Sequence, residues 1–492
     1  MADHPSLYEI NTSSWLYEMS KRQGSALTLA GVPGREWDAI ADMGFRYVWL
    51  MGVWKRSQAG RRYFQADPAY RSLYDYVLPG WTEDDIIGSP YSIAAYEPDP
   101  GIGTWEDIDR VRSLLQRRGI GLILDFVPNH TGPDFPWVSD HPDYYIQGTD
   151  EEGKRNPAEF FAVQDGGKAR YIAKGKDPYF PPWPDTAQLN YFNPEMRSAL
   201  RGELKKIAGH CDGVRCDMAM LVLNEIFAAT WSGAGRKFSE LPKEEFWTVV
   251  REMLPGFLLV AEAYWDREWT LQQLGFDYTY DKRLYDRIVS ASVPGIYLHL
   301  TADISFQRKL TRFIENHDEP RSAGMFGRDR AMAAAVLFAT LPGMKLYQHG
   351  QFEGRGIRLP LQLRRVKEEE SDEEISAFYG RLLPIVKQDI FHKGVWQLKE
   401  VLSLNDASFR NLIAYVWKSP GQIRLVVVNF SEKPAQGSIQ LREDLAGDRD
   451  YLLVDMLNDG TYLREGREMT TDGLHVILEG YKAHIFEISL KR

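Results

Sequence analysis

GLILDFVPNH, Gly121 to His130, decides the fold. Its first seven residues are almost continuously apolar, interrupted only by Asp125. That is how a strand buried on both faces of a parallel sheet reads. The residues before it read as a helix. Thr104 is placed to cap it, and Glu106 and Asp107 sit in its first turn, where the helix dipole favours anions. Ile108, Val111, Leu114 and Leu115 make one apolar stripe, and Gly119 is placed to end the helix. A helix feeding a buried strand is the unit of a parallel α/β fold.

The same pattern extends in both directions. Upstream, Tyr8-Glu9-Ile10 and Arg46-Tyr47-Val48-Trp49-Leu50-Met51 read as strands. Downstream, Asn193-Pro194-Glu195 opens a helix. CDGVRCDM (211–218), FLLVAEA (257–263), Arg312-Phe313-Ile314-Glu315-Asn316 and MKLYQ (344–348) then read as strands. Two more remain to be placed, with Phe276 to Tyr280 one candidate. Between residues 131 and 190 the periodicity stops. The segment is rich in Pro, Gly, Tyr and Trp, and long irregular stretches of that kind in compact proteins are functional more often than not when aromatics argue against disorder. Past about Leu398 helical patterns give way to strand-like pieces such as 412–417 and 423–428. The expected fold class is α/β: a (β/α)8 TIM barrel with an irregular inserted domain after strand 3 and a C-terminal antiparallel β-sandwich. The expected ranges are 1–130 and 191–395 for the barrel, 131–190 for the insertion and 396–492 for the sandwich. A chain of 492 residues exceeds one ordinary core, and a barrel of roughly 250 residues with insertions would use most of it.

Composition excludes several classes. The formal net charge of -10 argues against a general nucleic-acid binder, which needs a clustered basic surface, and against docking on anionic membranes. Two cysteines, Cys211 and Cys216, lie too close in sequence to staple much and have no zinc-type spacing. Few cysteines, no signal pattern over Met1 to Ser6 and no long apolar run make a cytoplasmic location the expectation. Aromatics reach 13%, which suits sugar faces, although most aromatic side chains serve the core. The acidic run 368–374 reads as a solvated loop or helix start.

Four acids close apolar strands. Asp125 ends GLILD, Asp217 ends GVRCD, Glu262 ends LLVAE, and Asp318 follows FIENH. In a barrel the C-terminal strand ends converge on one mouth, where reactive groups are found. Glycosidic cleavage with retention needs two carboxyls about 5–5.5 Å apart, one ionised and one protonated. Arg215 lies two residues before Asp217, so both point to one side of a strand, and the guanidinium favours the carboxylate there. Glu262 lies among Ala261, Ala263, Tyr264 and Trp265, apolar walls that favour its protonated form. Asp217 is therefore the expected nucleophile and Glu262 the expected acid/base. A plain buried ion pair would suit the same flanks.

These stretches are also motifs. DFVPNH (125–130), GVRCD (213–217), AEAYW (261–265) and NHD (316–318) occur in order and with barrel-like gaps, and together they resemble the α-amylase superfamily of glycoside hydrolases and transglycosylases. GFRYVWL (44–50), QLN (188–190) and MKLYQHG (344–350) are similar to its lesser motifs. The resemblance implies a retaining enzyme of α-glucosidic bonds. It implies catalytic roles for Asp217, Glu262 and Asp318, the last gripping sugar hydroxyls. Arg215 would orient the nucleophile, and His130 and His317 would donate to hydroxyls of the cleaved sugar. Asp125 would be a structural acid near Arg215, and Tyr91, in GSPYSIAAY, the stacking platform. Trp265 and Arg321 are weaker carry-overs.

The chain also departs from the family. Met220 and Leu221 stand where amylases that cut starch internally commonly carry a Lys-His pair. Ser92 and Gln188 replace frequent aspartates. Asn129 remains where the family often binds calcium, but one oxygen ligand cannot make a site needing six or more. No cofactor is therefore expected, and a family-type calcium is doubtful. The expected partner is an α-glucan or oligosaccharide substrate, with neither nucleic acid nor membrane. The leading function is hydrolysis of maltooligosaccharides or related α-glucans through a covalent glycosyl-enzyme. The first alternative passes the same intermediate to a sugar acceptor, as a glucanotransferase or disaccharide-isomerising enzyme would. The alternative from another class is a non-catalytic glucan-binding or partner subunit, and relatives of that kind tend to lose the carboxylates this chain keeps.

Overall fold

The computed structural model describes residues 4–232 and 242–491. Residues 1–3, 233–241 and 492 belong to the ranges expected for barrel and sandwich, and 1–3 also to the segment read for an export signal; they lie outside the described residues. Eight parallel strands close on themselves: β1 (Ser6–Asn11), β2 (Tyr47–Met51), β3 (Gly121–Phe126), β4 (Gly213–Cys216), β5 (Leu258–Ala261), β6 (Tyr278–Tyr280), β7 (Leu310–Arg312) and β8 (Met344–Gln348). Each lies beside its neighbours in sequence, and β8 returns to β1 with Tyr8 opposite Tyr347. One further strand, Tyr278–Tyr280, within the candidate 276–280, completes the barrel; the sequence reading leaves room for two.

The seventh strand differs from expectation. It ends at Arg312, so Phe313 to Asn316 run on beyond it. The ladder fixes this end: Thr311 and Arg312 face Met344 and Lys345, and no further pairs form. Asn316 then turns the chain, its Oδ1 accepting from the amides of Asp318 and Glu319 at 2.9 Å.

Three helices show how local sequence sets the elements around the barrel. α1 (Thr12–Gln23) starts on the Asn11 side chain and stops at Gly24, whose φ of 72° lies in the left-handed region. α2 (Trp105–Gln116) carries a reciprocal cap: Thr104 Oγ1 accepts from the Asp107 amide, and the Asp107 carboxylate accepts from the Thr104 amide at 2.9 Å. α3 (Pro194–Ala208) has Pro194 in its first turn, where the missing N–H costs nothing, and Asn193 as cap.

Alternation along the strands decides what enters the barrel. Leu7, Trp49 and Met51 pack inside it with Ile123, Val260 and Met344. Tyr8, Ile10, Val48, Leu50, Val214 and Cys216 belong to the outer core between strands and helices. Glu9, Arg215 and Asp217 alternate with these outward residues and so take the inward side.

The inserted segment is more regular than expected. It leaves and rejoins the barrel through a short antiparallel pair, His130–Thr131 against Ala187–Gln188. Between them lies a three-stranded antiparallel sheet of Gln147–Gly148, Lys168–Ala173 and Phe160–Asp165, with a helix at Asp150–Arg155. Its short strands are wrapped in Pro- and Gly-rich turns that hide them from a periodicity reading. A second excursion, not assigned from sequence, places two helices, Gln58–Ala66 and Pro68–Val77, between Trp54–Arg56 and Ile93–Pro98.

The C-terminal part is the expected antiparallel sandwich. A six-stranded and a three-stranded sheet share a core, with Leu412, Val416, Leu425 and Phe486 from the first and Ile439, Val476 and Leu478 from the second. Trp417 Nε1 donates to the Thr340 carbonyl at 2.7 Å, joining it to the barrel.

Candidate active site

The barrel ladder sets Asp217 and Glu262 side by side. Cys216 faces Ala261 in register, the Glu262 amide donates to the Cys216 carbonyl at 3.0 Å, and the Asp217 amide donates to Phe126 at 2.8 Å. Both acids therefore stand at C-terminal strand ends, at the barrel mouth. Arg215, level with Asp125 on β3, lies below them and has no exposed surface. Its Nη1 donates to Asp217 Oδ1 at 2.8 Å. Its Nη2 is 2.9 Å from Glu262 Oε2 and 4.0 Å from Asp318 Oδ2. Nη2 has no aligned hydrogen bond, so its hold on Glu262 is a charge contact, whereas its partner nitrogen makes a directed bond to Asp217.

One guanidinium thus faces both acids: the contact with Asp217 expected of Arg215 is accompanied by one with Glu262. It is caged by the rings of Trp49, Tyr91 and Tyr280 at 5.3, 5.2 and 5.5 Å. Such desolvated cation–π contacts contribute up to about 2 kcal/mol each, which offsets part of the cost of burying the charge. Glu262 is not walled only by apolar groups either. Its Oε1 accepts from the Tyr264 hydroxyl at 2.8 Å and its Oε2 from the Met218 amide at 2.7 Å.

Proton affinities follow from this crowding. Burial pushes Glu262 up to about 7, with Arg215 opposing and Asp217 adding to the rise. Burial also raises Asp217, against the pull of Arg215. At Asp318 burial is outweighed by the charge and hydrogen bond of His317 and by Arg215, and its carboxyl falls to about 2. Three acids facing few cations relieve their repulsion by retaining one proton, and Glu262 is the acid that holds it near neutrality.

His317 joins the far side. Its Nε2 lies 2.9 Å from both Asp318 Oδ2 and the Tyr91 hydroxyl, and its Nδ1 contacts Glu9 Oε1. Burial would pull the imidazole down, but Asp318 and Glu9 raise it to about 10, so it is a cation. The Tyr91 ring leans over His317 at 5.5 Å and 30°. His130 takes the opposite character: burial pulls it down to about 4, so it is neutral, and Trp183 of the inserted segment lies 5.1 Å from it. Asp125 is buried, accepts from Gly52 N at 2.6 Å and Trp49 Nε1 at 3.1 Å, and is pushed up to about 6 by burial.

Two carry-overs fare differently. Trp265 adjoins the acids through Tyr264 and lines a cavity of ≈ 490 Å³ with Met218, Tyr264 and Phe180. Arg321 is not brought to the acids. It donates to Glu315 at 2.7 Å and to the His349 carbonyl at 2.9 Å, tying down the loop after β7. Backbone strain gathers here: Met218, Trp265 and Asp266, next to the two acids, have φ of 41°, 61° and 60°. Left-handed conformations in such residues persist where the surrounding structure over-determines them.

Glu9, Trp49, Tyr264 and Tyr280 were not singled out from sequence as site residues. Glu9 left one signal, an acid in the middle of an otherwise apolar strand.

The residues where the family often binds calcium do not fit that ion. Asn129 Oδ1 accepts from Gln188 Nε2 at 3.1 Å, and the same nitrogen donates to the carbonyls of Asn129 and Leu189 at 2.9 and 3.1 Å. An amide N–H2 already fills those oxygens, and neither partner carries the negative charge a hard cation requires. Met220 and Leu221 are packed into the core. Among the described residues no group of three His, Cys, Asp or Glu side chains could hold a metal ion.

With this geometry in hand, the chain can be set beside known proteins. Residues 27–374 match the family model of the alpha amylase catalytic domain. The chain is 27% identical over 283 residues to Alpha-amylase 3 of Dictyoglomus thermophilum, covering 52% of each. It is 31% identical over 167 residues to Trehalose-6-phosphate hydrolase of Escherichia coli, 31% of this chain and 29% of that protein. The chain thus matches about half or less of the length of these curated relatives. Among solved structures it is similar to a maltogenic alpha-amylase from Thermotoga neapolitana, with a TM-score of 0.68, 18% identity and 99% of each chain covered. An alpha-amylase from Lactobacillus plantarum gives 0.69, at 18% identity and 98% of each.

Proposed function

The chain belongs to the alpha-amylase family, and from that premise we propose that it is a retaining α-glycoside hydrolase of maltooligosaccharides or related α-glucans. The observation that carries the reading is the single guanidinium of Arg215 in contact with both Asp217 and Glu262. Two carboxyls held against one cation at the barrel mouth support the pairing of nucleophile and acid that retaining enzymes use.

In this reading Asp217 attacks the anomeric carbon while Glu262, protonated near neutrality, gives its proton to the leaving oxygen. The glycosyl–Asp217 ester forms as the glycosidic bond breaks. Glu262, now ionised, takes a proton from water, whose oxygen displaces Asp217 and restores both groups. Arg215 orients Asp217. Asp318, 40% exposed on its side chain and kept ionised by His317, is open to sugar hydroxyls and to the charge that develops on the ring. Tyr91 supplies a ring face and neutral His130 a donor, while cationic His317, engaged by Glu9, Asp318 and Tyr91, acts by keeping Asp318 ionised.

A second reading, transfer to a sugar acceptor, is supported by the cavity beside Glu262. Trp265, Phe180 and Met218 give it apolar walls on which an acceptor could displace water. Incubation with maltooligosaccharides, isomaltose, trehalose and sucrose, with products resolved over time, tests both. Shorter products alone support hydrolysis, longer or rearranged ones support transfer, and no turnover of any of them rejects the proposal. We also propose a cytoplasmic location, supported by Cys211 and Cys216, both buried as free thiols. Fractionation of the native cells checks it.

A further inference from the structure

Away from the acids, a cavity of ≈ 500 Å³ lies between α1, the start of the helix Gln58–Ala66, and the chain near Asp99 and Arg364. Three arginines line it: Arg56, Arg61 and Arg364. None has a carboxylate within ion-pair distance among the described residues. Arg56 is 4% exposed, yet its Nη2 reaches only the Ser13 hydroxyl at 3.0 Å and the Gly52 carbonyl at 3.4 Å. Its Nε has no partner, and neither has the Nε of Arg364. Arg61 donates to the carbonyls of Ile86 at 2.6 Å and Glu83 at 3.4 Å. The one acid in the lining, Asp99, accepts from the Gly101 amide at 2.8 Å.

Asp99 and Asp125 act on Arg56 only from beyond ion-pair distance, so burial still weakens its hold on the proton, and leaving one of its N–H groups unpaired adds to the cost. A bound anion would remove both penalties. Guanidinium forks match tetrahedral oxyanions in geometry as well as charge. The cavity is larger than one phosphate, and Leu16, Tyr17, Leu27 and Ile102 supply apolar surface around the cationic end. We infer that this cavity is a binding site, separate from the three acids, for the phosphate monoester of a small organic molecule, with its phosphate on Arg56, Arg61 and Arg364. The site has a physical route to the barrel mouth. Arg56 contacts the Gly52 carbonyl, and the Gly52 amide donates to Asp125.

Calorimetric titration at low ionic strength tests it, with glycerol 3-phosphate and inorganic phosphate as separate probes. An acyclic ester avoids any confusion with a sugar subsite. Arg61→Gln and Arg364→Gln are the informative variants, because both side chains are part-exposed and their loss spares the fold; Arg410→Gln is the distant control. The ester is expected to bind saturably and more tightly than inorganic phosphate. Each of the two substitutions should weaken it by about tenfold or more, and Arg410→Gln should leave it unchanged. Absence of saturable binding by either probe overturns the site, as does binding indifferent to both variants. Inorganic phosphate binding as tightly as the ester overturns the organic ligand.

Discussion

Glu9 and His317, 308 residues apart in the chain, are paired inside the barrel through Glu9 Oε1 and His317 Nδ1. Glu9 has no exposed surface, and its other carboxylate oxygen has no partner. Asp318 and Glu9 together keep the imidazole charged, so an acid on β1 contributes to the state of a group in the loop after β7.

Glu9→Gln removes that charge and should lower the affinity of His317 for its proton. A charge-assisted hydrogen bond contributes about 1.5–3 kcal/mol, so kcat/KM is expected to fall by roughly 10- to 100-fold. His317, held at about 10 by Asp318 and Glu9 in the parent protein, should then lose its proton at a lower pH. Titration of the imidazole by NMR in both proteins reads the shift directly; an unmoved His317 would assign the pair a purely structural part.

Asp217→Asn and Glu262→Gln should each reduce turnover by about a thousandfold or more with the circular dichroism spectrum retained. Glu262→Gln should keep more activity on substrates whose leaving group needs no proton, such as aryl glucosides, than on maltooligosaccharides. Equal losses on both would contradict the acid role.

Activity should decline as pH rises through about 7, because the acid form of Glu262 is the one that protonates the leaving oxygen and burial raises it to that value. Asp217 must be ionised to attack, so the acid limb reflects its protonation, and because the acids interact both limbs belong to the pair. An initial-rate profile still rising at pH 9 would exclude Glu262 as the acid in the form described.

The first product released should carry the α configuration. NMR of the anomeric protons during the first turnovers, before mutarotation, distinguishes this from the β anomer an inverting enzyme would give.

Exhaustive treatment with chelator should leave activity within about twofold, since the Asn129–Gln188 amide pair closes the junction between barrel and insertion with neutral hydrogen bonds. Full loss with EDTA and recovery on adding calcium would mean that the ion binds through groups other than these.

Much of the architecture could be read along the chain because it is written in local patterns. The cap of Thr104 and Asp107, the stripe of Ile108, Val111 and Leu115, and the apolar run at 121–127 all concern residues within one or two turns of each other. The positions of Asp217 and Glu262 were legible for the same reason, since each ends its own apolar strand. β7 was misjudged because the apolar character of Phe313 and Ile314 continues after the ladder has ended. The sheet inside the insertion was missed because its strands are short and cut by turns.

The amino-acid order by itself determined the barrel, the closing sandwich and which acids reach the mouth, because burial periodicity and strand ends are properties of contiguous residues. Only the tertiary structure decided how those acids share protons. Arg215 touching Glu262 as well as Asp217 and Glu9 pairing with His317 are contacts between side chains far apart in sequence, and Arg321 is turned toward Glu315 by the path of the loop after β7; Coulomb energy and desolvation depend on these distances in space, not on order along the chain.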